Sequence, residues 1–131
     1  MNQAPTLLLI DDDLDDQEIF ELAVRETKRT MHCVYASSGF EALEMLDSNS
    51  SFLPEYIFID LNMPRMDGRK CLVEIRKIPR LKNVPIIIYS TADDERSLLE
   101  TKEMGASKYI VKPTSLTALV DTLAELFKVS I

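Results

Sequence analysis

Three acidic residues, Asp11, Asp12 and Asp13, stand directly behind the short apolar run Thr6–Ile10. A later run, Tyr56–Ile59, is followed by Asp60 and then by Leu61, Asn62, Met63 and Pro64. Ser90 and Thr91 come after the run Ile86–Tyr89, and Lys112 and Pro113 come after Tyr109–Val111. If these runs are parallel strands, their carboxyl ends meet along one edge, where ligands of such sheets bind. Unit charges about 4 Å apart repel by about 4 kcal/mol at an effective dielectric of about 20, so carboxylates gathered there need a cation among them. Carboxylate oxygens, a backbone carbonyl and water are what Mg²⁺ takes, and an incomplete set leaves positions for a phosphate oxygen. An ammonium and a hydroxyl beside one carboxylate can hold a transferring phosphoryl group by its oxygens, and the carboxylate itself can be the acceptor.

The elements that must position these residues follow from hydrophobic spacing. Short apolar runs at Thr6–Ile10, His32–Ala36, Tyr56–Ile59, Ile86–Tyr89 and Tyr109–Val111 are mostly apolar on both faces, as strands buried on both sides are. Between them lie helical patterns. Ile19, Phe20, Ala23 and Val24 mark the first, and Ala42, Leu43, Met45 and Leu46 the second. The second opens with a capping box, Ser38 accepting from the N–H of Glu41 and Glu41 reaching back. The third carries Cys71, Leu72, Ile75 and Ile78 and stops at Pro79. The fourth is weakly apolar, with Leu98, Leu99 and Met104, and ends at Gly105. The last runs through Leu116, Leu119, Val120, Leu123, Leu126 and Phe127 from a start at Thr114 or Ser115. Strand and helix alternate five times, which predicts an α/β fold with a five-stranded parallel sheet and helices on both faces. Acids ahead of a helix commonly meet its dipole and its unpaired N–H groups, and Asp13, Asp15 and Asp16 read that way. Asp67-Gly68 reads as a turn and helix start.

Composition narrows the function classes. The chain has 131 residues, the size of one domain, and is 46% hydrophobic, which argues against disorder. It carries 15 Lys and Arg against 22 Asp and Glu, a net charge of −7. Clustered basic residues for nucleic acid or an anionic membrane are therefore not expected. The opening apolar stretch is short and runs straight into acids, so neither a signal peptide nor a membrane span fits, and a cytoplasmic location is expected. Cys33 and Cys71 have no CxxC spacing and no neighbouring His, and read as buried reduced thiols.

The strings LLLIDDD, FIDLNMPRMDG, PIIIYSTA and GASKYIVKP, taken in order, resemble the receiver domain of two-component response regulators. The resemblance spans essentially the whole chain, read as a single receiver domain over residues 1–131 with no output domain. It implies the flavodoxin-like (βα)5 three-layer sandwich of the chemotaxis regulator. By position, Asp60 takes the place of the phosphoacceptor. Asp11 and Asp12 take that of the acid pair that positions Mg²⁺ together with Asp60, and Asn62 lies where a main-chain carbonyl completes the metal set. Ser90 matches the hydroxyl that follows the phosphoryl group. Lys112 matches the lysine that contacts it, with a bond to Pro113 that is often cis in the family. Tyr109 matches the aromatic that swings inward on activation. Asp13 is an additional acid beside the pair. Thr91 stands where Ala or Gly is usual, and its bulk is expected to narrow access to the phosphoryl group. Residues 47–55 are longer than in compact receivers, as in small regulators associated with phytochrome kinases.

The resemblance implies a switch rather than a metabolic enzyme. A sensor histidine kinase or phosphotransfer protein supplies the phosphoryl group, Mg²⁺ assists, and the face of the fourth helix, fifth strand and fifth helix changes its affinity for a protein target. The competing reading is a constitutive interaction module that never carries phosphate; intact acid, Ser and Lys positions oppose it. A phosphatase acting through an aspartyl nucleophile would use a second Asp two residues on, and Asn62 occupies that position.

Overall fold

Alternation within each apolar run decides which layer its side chains enter. The computed structural model describes residues 4–128. Its strands are β1 (Thr6–Ile10), β2 (His32–Ala36), β3 (Tyr56–Ile59), β4 (Ile86–Ser90) and β5 (Lys108–Val111). They alternate with α1 (Leu14–Glu26), α2 (Gly39–Ser48), α3 (Gly68–Arg76), α4 (Glu95–Glu103) and α5 (Leu116–Phe127). All pairings are parallel, in the order β2-β1-β3-β4-β5. Leu7, Leu9, Phe58, Ile87 and Tyr89 point to one side, where α1 and α5 cover them with Phe20, Val24, Leu119 and Leu123. Leu8, Ile10, Ile57, Ile59, Ile86 and Ile88 point to the other, against Ala42 and Leu46 of α2 and Leu72 and Ile75 of α3. The result is the expected three-layer (βα)5 sandwich. Burial on both faces holds for β1, β3 and β4, but β2 and β5 are edge strands and stay partly exposed. Cys33 on β2 is accordingly half-buried, contrary to expectation, while Cys71 is buried; both are free. Burial pushes the Cys71 thiol up to about 12.

Helix ends follow local chemistry. Asp13 caps α1 by accepting from the N–H groups of Asp15 and Asp16, and Ser115 caps α5 by accepting from Ala118. Ser38 accepts from the Glu41 N–H at 3.0 Å, but the Glu41 carboxylate reaches one residue further back, to the Ser37 N–H at 2.8 Å. α3 ends at Arg76 because Pro79 holds Ile78 in an extended conformation, and a short 3-10 turn follows over Pro79–Leu81. α4 stops before Gly105, whose φ of 111° only glycine adopts readily. Among the described residues no peptide bond is cis, Lys112–Pro113 included.

α4 differs from the amphipathic helix expected of it. Ser97 and Thr101 face inward and are buried, whereas Leu98 and Leu99 are exposed. The inner face is held by polar bonds: the Asp94 carboxylate accepts from Ser97, Thr101 donates to the Ser97 carbonyl, and Arg69 on α3 donates to Ser97 Oγ at 2.9 Å.

Candidate functional site

Register brings the strand ends level. Ile10 lies beside Ile59 on one side and Ala36 on the other, and the ladder continues one step beyond. The Asp60 N–H donates to the Ile10 carbonyl at 2.9 Å, and the Asp11 N–H to the Ala36 carbonyl at 3.0 Å. β1 is where the chain reverses the direction in which it adds strands, so Asp11 and Asp60 flank the crevice that such a reversal opens. At the other side of β4 the Lys112 N–H donates to the Ser90 carbonyl at 2.8 Å.

The sheet edge therefore gathers the carboxylates around one ammonium. Oxygens of Asp11, Asp12 and Asp60 all lie within 4.8 Å of one another. Lys112 Nζ donates to Asp11 Oδ2 at 2.9 Å and stands 3.5 Å from Asp60 Oδ2. It also donates to Asp16 Oδ2 at 2.7 Å. Asp11 and Asp60 are buried and Asp12 is exposed. Burial pushes the Asp60 carboxyl up to about 6; the Asp11 charge adds to the rise, while Lys112 and the Asn62 N–H oppose it. Burial also raises Asp11, against the pull of the Asp13 N–H and Lys112. For Lys112 burial works against the charge, but Asp16 and Asp11 outweigh it and hold the ammonium above its ordinary value. Three carboxylates, Asp11, Asp16 and Asp60, thus surround one ammonium, and a fourth, Asp12, converges with Asp11 and Asp60. A hard, oxygen-only set with this excess of negative charge fits a small divalent cation.

The loop after β3 is built to present Asp60. Asn62 is exposed and donates its N–H to Asp60 Oδ1 at 3.2 Å. Arg65 has a φ of 69°, and the Met66 N–H donates to the Pro64 carbonyl across it, closing a three-residue turn. The Gly68 N–H donates to the Leu61 carbonyl at 2.9 Å. A Cβ on Gly68 would collide with the Asp60 carbonyl and Leu61 Cα, so only glycine lets α3 come this close.

Ser90 is fully buried at the end of β4, and its Oγ accepts from the Ala92 N–H at 3.2 Å. Tyr109 on β5 donates to the carbonyl of the same residue at 2.6 Å. Ser90 and Tyr109 are therefore both tied to the backbone of Ala92 in the β4–α4 loop, one at its N–H and one at its carbonyl. Thr91, in that loop, is exposed.

Two contributors were invisible in the sequence. Asp16 reads as a helix-start acid, yet its side chain reaches Lys112. Gln17 Nε2 donates to the Asp11 carbonyl at 2.7 Å, fastening α1 to the end of β1. The only local signal was their place one helical turn past the acid pair. Their contacts depend on β5 and on the turn after β1.

A parallel α/β sheet with an aspartate cluster at its reversal point defines a class of aspartate-centred α/β domains suited to a divalent cation. Residues 7–124 match the response regulator receiver domain family, and the chain belongs to that family. It is 25% identical over 122 residues to the response regulator Rcp1 of Synechocystis, a match covering 90% of this chain and 83% of that protein. It is 34% identical over 109 residues to the sensor histidine kinase CheAY of Helicobacter pylori, covering 83% of this chain but only 13% of that much longer protein. The crystal structure of the phosphorylated cyanobacterial phytochrome response regulator RcpA superimposes with a TM-score of 0.86 at 25% identity, covering 96% of this chain and 93% of that one. The Mn²⁺-bound form of Rcp1 gives 0.81 at 25% identity, covering 93% and 91%.

Proposed function

We propose that this receiver domain is a phosphorylation-controlled switch in which Asp60 accepts a phosphoryl group from the phosphohistidine of a sensor histidine kinase or phosphotransfer protein. The observation that carries the reading is the buried Asp60 carboxylate at the sheet reversal, 3.5 Å from Lys112 and within 4.8 Å of the Asp11 and Asp12 oxygens. Asp11, Asp12, Asp60 and the Asn62 main-chain carbonyl would hold Mg²⁺. When bound, the ion neutralises charge on the phosphoryl oxygens. An Asp60 oxygen attacks phosphorus, the P–N bond breaks, and its electron pair returns to the imidazole nitrogen, which takes up a proton. Lys112 meets the developing charge as a fixed cation.

Ser90 and Tyr109 carry the change outward. A phosphoryl oxygen drawing Ser90 Oγ toward Asp60 takes it from the Ala92 N–H, and Tyr109 holds the carbonyl of that same residue. The loop then moves α4, whose polar inner face is easier to displace than an apolar one. A protein target that binds the two positions of α4 with different affinity reads the switch. The donor side has its own surface. Ile19 and Leu22 on α1 and Leu116 at the start of α5 are exposed apolar residues that line one groove with Asp16. They suit docking of a helix that carries the phosphohistidine.

Intact-mass spectrometry after incubation with acetyl phosphate tests this reading. One added phosphoryl group is expected, requiring Mg²⁺ and lost in Asp60→Asn. Failure with acetyl phosphate and with a panel of histidine kinases would leave a binding module that carries no phosphate.

A further inference from the structure

The Lys112 ammonium has three N–H donors. Two are engaged, by Asp11 Oδ2 at 2.9 Å and Asp16 Oδ2 at 2.7 Å. Asp60 Oδ2 is farther away, at 3.5 Å, beyond the usual length of an ammonium–carboxylate hydrogen bond. The cation that the phosphoswitch reading assigns to the phosphoryl group is thus held more closely by Asp16 than by the acceptor itself.

Asp16 is not explained by the other roles around it. It lies outside the Asp11, Asp12 and Asp60 set whose oxygens converge. Helix capping is supplied by Asp13, whose carboxylate takes the N–H groups of both Asp15 and Asp16. A dipole effect would be served by any acid in the first turn, as Asp15 serves it, without a contact to Lys112. Instead the Asp16 side chain crosses from α1 to the residue that follows β5, a separation of 96 positions in the chain. The Lys112 side chain is only 10% exposed, so this pair is partly withdrawn from water.

We propose that Asp16 is a positioning residue that holds Lys112 in the resting state and opposes occupancy of Asp60 by a phosphoryl group; the proposal rests on the phosphoswitch reading. A phosphoryl group on Asp60 places further negative charge on the far side of the same ammonium. To meet it, Lys112 must close the 3.5 Å gap while Asp16 pulls the other way. The Asp16 charge also repels the newcomer directly. Both effects favour the unphosphorylated state. An amide at position 16 keeps the shape, removes the repulsion and reduces the pull on Lys112 to that of a neutral acceptor.

The test is titration of the full chain with beryllofluoride, a phosphoryl mimic, in saturating Mg²⁺, followed by the amide NMR signals of Thr91 and Ala92. Asp16→Asn is expected to tighten binding about fivefold or more, the scale of a typical coupling between sites. Asp15→Asn makes the same charge change without the contact and is expected to leave binding unchanged. Asp60→Asn is expected to abolish it. Unchanged or weaker binding by Asp16→Asn, or equal tightening in Asp15→Asn, would overturn the proposal and leave the phosphoswitch reading standing. A wild-type chain that binds no mimic and takes no phosphate would overturn that reading, and the proposal with it. The Nζ resonance of Lys112 in the metal-free protein is a second readout. It is expected to shift in Asp16→Asn and stay in place in Asp15→Asn; an unmoved resonance in Asp16→Asn would also overturn the proposal.

Discussion

At Asp60 the folded chain holds a proton more tightly than the unfolded chain does, because burial lifts its pKa from the ordinary 3.8 to about 6. The favourable contribution of that proton is complete below the ordinary value and is lost as pH rises through about 6. Above that range the buried charge is a cost. Without divalent cations, Asp60→Asn is therefore expected to stabilise the protein at pH 7 by on the order of 2 kcal/mol. The gain shrinks as pH falls through about 6 and is absent below the ordinary value, which urea unfolding with a chelator across that range would measure. Gly68 is the opposite case, a residue without chemistry that the site still needs. Gly68→Ala is expected to cost about 2–3 kcal/mol, since the new methyl group meets backbone that cannot yield, and to weaken divalent-cation binding by displacing the Asp60 loop. Thermal unfolding and a metal titration of the same variant would check both. Asp60, Ser90 and Lys112 could be singled out because their types are costly or idle at a strand end unless something uses them. Asp16 could not, because an acid in the first turn of a helix already has an ordinary explanation.

Among the elements, α3 and α4 are joined by arginines rather than by a shared apolar seam. Arg76 at the end of α3 donates through Nε to the Gly105 carbonyl at 2.9 Å and through Nη1 to the Val84 carbonyl at 2.9 Å, and it reaches Ser107 as well. It ties the turn before β4 to the turn before β5. Arg76→Ala is expected to destabilise by about 3 kcal/mol, because carbonyls on two loops lose a charged donor. Arg76→Lys is expected to recover less than half of that, since a single ammonium cannot span both loops. Denaturant unfolding of the two variants decides it. For α4, whose buried side chains are Ser97 and Thr101, amide hydrogen exchange is expected to be faster than in α1 and α5, which bury Phe20, Leu119 and Leu123. Protection in α4 equal to that in α5 would contradict the account of a displaceable helix. Periodicity located α1, α2, α3 and α5 because each buries an apolar stripe. It was weak for α4 because the groups that hold this helix are hydroxyls and the Arg69 guanidinium, which read as solvent-facing in any sequence pattern.

For the molecule as a whole, a net charge of −7 with Asp11, Asp12, Asp16 and Asp60 gathered at one sheet edge makes cation binding and folding stability two aspects of one equilibrium. Mg²⁺ at a hundred times its dissociation constant is expected to stabilise the fold by about 2.7 kcal/mol. Asp12→Asn should lose most of that gain although Asp12 is exposed, and melting curves with and without Mg²⁺ would show it. Local pattern was enough to determine the order of strands and helices, the parallel sheet and the gathering of Asp11, Asp12, Asp60, Ser90 and Lys112 at its carboxyl edge. Apolar periodicity records which faces are buried, and parallel connectivity puts every strand end on one side. The sheet order and register decided the rest. They made β2 and β5 edges that leave Cys33 half-exposed, and they set Asp11 level with Asp60. They placed Ser90 and Tyr109 on the backbone of one residue, Ala92, and brought Asp16 to Lys112 across 96 residues of chain. Such contacts join residues distant in the chain, and a pattern that repeats every two or every three to four residues carries no record of them.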